Sequence, residues 1–80
     1  MTNQDKTKFA YLMTQASLIF NSEILEGKLD IYFDVLKDHP IEHLEHAFFE
    51  YYKQGKYFPM PVDIIKIIDN KFGEPWWVGL

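Results

Sequence analysis

Apolar positions in this chain recur mostly every three or four residues, and glycine and proline break the recurrence into blocks. From Asp5 to Asn21, Phe9, Leu12, Met13, Ala16, Leu18, Ile19 and Phe20 keep that spacing, as the core-facing side of a helix requires. Asn21 and Ser22 end the block and offer caps for a second helix. A second block, from Ser22 to Lys37, sets Leu25, Leu29, Tyr32, Phe33, Val35 and Leu36 against Glu26, Asp30, Asp34 and Asp38, which follow one another at four-residue spacing. Gly27 weakens a helix interior by about 1 kcal/mol relative to alanine, which makes Lys28 an alternative start for this helix.

Asp38-His39-Pro40 interrupts, and Pro40 suits the first position of a third helix reaching Gln54. Ile41, Leu44, Ala47, Phe48 and Tyr51 form its stripe, and Gly55 is placed to close it in a left-handed conformation. Two prolines then fix an extended corner, Phe58-Pro59-Met60-Pro61, in which Phe58 is expected to insert into the core. A fourth helix from Val62 to Lys71 carries Ile64, Ile65, Ile67 and Ile68, with Gly73 to close it. No two runs alternate as strands across a hairpin turn. The pattern predicts an all-α bundle of about four short helices over residues 1–73, followed by an aromatic tail over residues 74–80. Leu29, Phe33, Leu36, Leu44, Phe48, Tyr51, Ile64 and Ile68 are the expected common core.

Composition supports one small, well-filled domain. A chain of 80 residues buries only about 60% of its unfolded surface, and 48% hydrophobic with 18% aromatic residues is rich enough to fill such a core. The chain has no cysteine, which excludes disulfides and thiolate metal sites and points to a reducing compartment. The N-terminus is polar, without the apolar centre of a signal peptide. No apolar stretch approaches the roughly 20 residues that span a bilayer. A soluble, cytoplasmic protein that does not engage membranes is expected.

Charge narrows the partners. The net charge is −4, and all eight basic residues are lysines. Arginine supplies the bidentate contact to guanine edges and phosphate, so specific nucleic-acid binding is not expected. The charge is uneven: eight acids against Lys28 and Lys37 leave −6 between Ser22 and Glu50. Lys53, Lys56, Lys66 and Lys71 outweigh Asp63 and Asp69 between Tyr51 and Phe72. Asp30, Asp34 and Asp38 read first as the wet face of an amphipathic helix. As a functional row, they would attract a basic protein surface or imitate DNA phosphates.

Candidate chemistry is sparse. His43, His46 and Glu50 share a side of the third helix, opposite Leu44 and Phe48. They match neither HExxH nor the paired Glu-x-x-His of di-iron bundles and read as solvated surface residues. There is no cysteine nucleophile, no serine elbow and no glycine-rich phosphate loop. No catalytic residue, cofactor or metal is therefore expected, and the chain reads as non-enzymatic. Trp76 and Trp77 either pack back on the core or anchor a partner, since tryptophan is enriched among residues that dominate binding energy. Phe49 and Tyr52, on the shoulder of the third helix, face the same choice.

One resemblance rests on Lys28-Leu29-Asp30-Ile31-Tyr32-Phe33-Asp34-Val35-Leu36-Lys37-Asp38, on Glu42 through Ala47, on Gly55-Lys56-Tyr57-Phe58-Pro59-Met60-Pro61 and on Asp63-Ile64. Together these resemble the N-terminal domain of the phage replicative-helicase loader and inhibitor family. Its members carry an aromatic-rich helix ending in Leu-x-Asp, an alanine-containing helix, and a Phe-Pro-Pro-Thr corner before the last helix. The likeness spans about Phe9 to Ile68. The corner here lacks the threonine, the first inter-helix segment is shorter, and only seven residues follow Gly73 where the family has a long helicase-contacting region. The resemblance implies a helical adaptor that loads or inhibits a replicative helicase, or binds an origin-binding protein or other replication factor, by protein contacts. Trp76, Trp77, Phe49, Tyr52, Asp30, Asp34 and Asp38 are the expected contact residues. The alternative from a different class is an acidic, DNA-mimic-like inhibitor of a host DNA-binding protein.

Overall fold

The computed structural model describes residues 2–73, which fold as four helices with no strand among them. These are α1 (Asn3–Ile19), α2 (Lys28–Leu36), α3 (Ile41–Gln54) and α4 (Pro61–Phe72). The fold is the expected all-α bundle. α3 packs on α1 along one side and on α4 along the other, while α2 bridges α1 and α4.

The ends of the helices follow local chemistry. α1 starts two residues earlier than the apolar pattern suggests because Thr2 and Asp5 cap it reciprocally. The Thr2 hydroxyl accepts from the Asp5 N–H at 3.2 Å, and the Asp5 carboxylate accepts from the Thr2 N–H at 3.1 Å. Beyond Ile19 the chain turns through Asn21 at φ 50°, a left-handed conformation that asparagine tolerates better than most residues. Ser22 to Gly27 stay outside the helix, so α2 takes the shorter of the two expected lengths. Gly27 is its N-cap at φ 84°, which removes glycine from the helix interior and uses its freedom at the entry turn. α4 starts on Pro61, and the Asp63 carboxylate accepts from the Met60 N–H at 3.1 Å.

Gly55 departs from expectation. It closes α3 in an extended conformation, φ −80° and ψ 152°, rather than a left-handed one. Its requirement is space, because a Cβ at this position would run into the ring of Tyr51.

The core is built on Phe9 and Phe48, both fully buried, whose rings meet edge to face at 6.1 Å. Met13, Leu36, Leu44 and Ile64 close around them, each without solvent exposure. The expected core is corrected at three positions: Leu29, Phe33 and Tyr51 pack on its margin and are only partly buried. On α2 it is Tyr32 that goes inward, because its hydroxyl finds a buried acceptor, the Pro59 carbonyl oxygen, at 3.0 Å. That pairing also corrects the corner. Pro59 is the residue that inserts fully. Phe58 is half-buried, its ring edge against Tyr32 at 5.9 Å and its face under the Lys28 ammonium at 3.8 Å. Leu18, Ile19, Leu25 and Val35, assigned to core-facing sides by their spacing, are exposed.

Candidate binding groove between α1 and α3

α1 and α3 diverge enough to leave a groove of about 430 Å³ between them, lined by Thr7, Lys8, Tyr11, Leu12, Glu45 and Phe49. Helical spacing explains the lining. Lys8, Tyr11 and Leu12 stand at i, i+3 and i+4 on α1, and Glu45 and Phe49 stand one turn apart on α3. Leu12 forms the floor and is 3% exposed, while the walls are two aromatic rings in water: Tyr11 is 64% exposed and Phe49 48%. Lys8 and Glu45 put one charge of each sign on the rim. A concave apolar surface with a polar rim is the usual form of a protein-binding patch.

Tyr52 sets the width of this groove. Its hydroxyl, carried by α3, donates to the Leu12 carbonyl oxygen of α1 at 2.8 Å. Burial pushes this phenol up to about 12, so it stays a hydrogen-bond donor across the physiological range. The Tyr52 ring meets Phe48 at 6.2 Å on one side and Phe49 at 5.6 Å on the other, both edge to face. Of the two aromatics expected as anchors on α3, Tyr52 is thus a half-buried strut and Phe49 presents the open ring. Tyr11 escapes the sequence-based contact set because it falls outside the core stripe. The signal lies in a second stripe, Lys8, Tyr11, Leu12 and Gln15, at i, i+3, i+4 and i+7.

The acidic row stands elsewhere. Asp30 and Asp34 are exposed on α2, and Asp38 is exposed in the turn after it. Asp30 lies 3.9 Å from the Lys6 ammonium of α1, so this row borders the α1–α2 side while the groove opens on the α1–α3 side. Trp76 and Trp77 lie outside the described residues.

The histidine side of α3 is also corrected. His43 and His46 are half-buried rather than solvated, because Phe72 at the end of α4 folds onto them. Phe72 stacks on His43 with centroids 3.8 Å apart and planes 2° from parallel, and meets His46 edge-on at 5.4 Å. Among the described residues, no three His, Asp or Glu side chains are grouped so as to hold a metal. No helix among them is long and apolar enough to cross a membrane.

Set beside known proteins, the chain finds no counterpart: no family model, no curated protein and no solved structure matches it.

Proposed function

We propose that this protein is a non-enzymatic adaptor that binds another protein through the α1/α3 groove. The observation that carries the reading is the pair of exposed rings, Tyr11 and Phe49, that line one groove with the buried Leu12 in a small domain. Large aromatics left in water at a concave site cost solvation that a partner recovers on binding. The groove is too poor in converging polar groups to suit catalysis: among the described residues that line it, Lys8 and Glu45 are the charged ones.

The resemblance of Lys28–Asp38 and of the Phe58-Pro59-Met60-Pro61 corner to phage helicase loaders and inhibitors supports a narrower reading. The partner is then a replicative helicase or a protein acting beside one at an origin, and this domain positions or blocks it. In that reading Asp30, Asp34 and Asp38 steer encounter while the groove supplies affinity.

The test is co-elution of the full chain with a purified replicative helicase from a bacterial host, at low and high salt. Binding is expected to survive high salt, and Tyr11→Ala with Phe49→Ala is expected to weaken it by about 2 kcal/mol, roughly thirtyfold. Binding that collapses with salt and ignores the double substitution would favour the acidic, DNA-mimicking inhibitor instead.

A further inference from the structure

We propose that the free chain pairs with a second copy of itself through the α1/α3 groove, as a two-fold dimer in which α1 of each protomer lies over α3 of the other. This rests on the groove being a binding surface, and adds that a partner protein competes there with a second protomer. Three observations carry it.

The first is charge. α1 brings Lys8 to the groove and α3 brings Glu45, one of each sign from different helices. No ion pair joins them, and neither is paired with another charge among the described residues. A face that carries one free base and one free acid on different helices is its own electrostatic complement.

The second is register. Phe9 meets Phe48, and the Tyr52 hydroxyl reaches the Leu12 carbonyl oxygen, so α1 and α3 run past each other in the same sense. Tyr11 follows Lys8 by three residues and Phe49 follows Glu45 by four. Each helix thus offers a charge and then, about one turn on, an exposed ring. A two-fold axis laid along the groove exchanges α1 and α3 between copies without changing the level along it. Lys8 then comes over Glu45 of the second copy and Tyr11 over its Phe49, and symmetry makes each contact twice. The rings leave water against each other, at the centre of the contact where aromatics are enriched.

The third is what this face leaves out. The chain carries −4, so two copies repel unless they meet on a neutral surface. On the groove Lys8 and Glu45 cancel, whereas Asp30, beside Lys6, borders the α1–α2 side. Six lining residues are fewer than the roughly 20–30 a side of a standard interface, so the dimer is expected to be reversible, half-formed at roughly 10–100 μM chain.

Sedimentation velocity on the full chain, from roughly 1 μM to 1 mM, is the test. Lys8→Glu and Glu45→Lys should each raise the midpoint by about tenfold or more, because each sets like charges opposite one another twice. Mixed in equal amounts, the two variants should associate near the unsubstituted midpoint, since one then carries two acids on the face and the other two bases. Tyr11→Ala/Phe49→Ala should stay monomeric, with helical circular dichroism kept in every variant. Tyr57→Ala, an exposed ring just before the corner, should associate like the unsubstituted chain.

A chain that stays monomeric to about 1 mM would overturn the proposal. So would a dimer indifferent to both reversals, or one that Lys8→Glu weakens and Glu45→Lys strengthens, which is the signature of net charge alone. Reversed variants that fail to associate when mixed would overturn it too. None of these measurements includes a partner protein. A monomeric chain leaves the adaptor reading standing, whereas a dimer whose groove takes no partner counts against that reading alone.

Discussion

At the scale of single residues, Gly27 shows how position decides the sign of a substitution. In a helix interior, replacing glycine with alanine adds about 1 kcal/mol of stability. Gly27 instead caps α2 at φ 84°, where a Cβ meets no neighbour yet the backbone disfavours any L side chain. Gly27→Ala is therefore expected to destabilise the protein by about 1–2 kcal/mol in denaturant unfolding. Tyr52 gives a second residue-scale test, through pH. Its phenol is raised by burial from the ordinary tyrosine value to about 12. Below the unfolded value, near 10, both states keep the proton and the stability is fully present. As pH rises from there toward 12, the unfolded state loses the proton first and stability falls. Tyr52→Phe is expected to flatten that alkaline loss, and to cost about 0.5–1.5 kcal/mol at neutral pH through the lost bond to Leu12.

At the scale of elements, the four helices were legible because their apolar spacing is regular and glycine or proline lies near most of their boundaries. The exceptions have physical causes. The Thr2–Asp5 cap extends α1 through polar residues that carry no hydrophobic pattern. Pro59 and Tyr32 were hard to read as a pair because they are 27 residues apart and meet only after α2 docks beside the corner. Spacing also assigns Leu18 and Leu25 to packed faces, but Leu18 lies in the last turn of α1 and Leu25 within the non-helical segment 20–27, and both stay exposed. The corner is a joint between α2 and α4, held by the Tyr32 hydroxyl, which donates to the Pro59 carbonyl oxygen and lies 3.8 Å from the Met60 sulfur, and by a cation over Phe58. Tyr32→Phe leaves the Pro59 carbonyl without this donor and is expected to lower stability by roughly 1–2 kcal/mol. Phe58→Leu, at a half-buried ring, is expected to cost less than Tyr32→Phe in the same chemical denaturation series.

At the scale of the whole molecule, an aromatic-centred core holds the helices and leaves an apolar groove on its flank. Phe48 touches both roles, since its ring packs on Phe9 inside and on Tyr52, which carries Phe49. Phe48→Ala is expected to cost about 3–5 kcal/mol, a large share of the stability of so small a domain. The groove itself was only half visible in the sequence. Phe49 stood out as an aromatic beside the core stripe, whereas Tyr11 lies far from it in sequence and joins it only through the packing of α1 on α3. The acidic row was fully visible, yet the fold sets it on the other flank of α1, apart from the apolar surface it was expected to serve. The central claim is that partner affinity resides in the groove and not in that acidic row. The most direct measurement compares, for one purified partner, the affinities of Tyr11→Ala/Phe49→Ala and of Asp30→Lys/Asp34→Lys, with helical content checked in each. The account predicts a loss of roughly thirtyfold or more for the groove pair. For the charge reversals it predicts mainly slower association. Affinity kept by the groove pair and abolished by the charge reversals would contradict it.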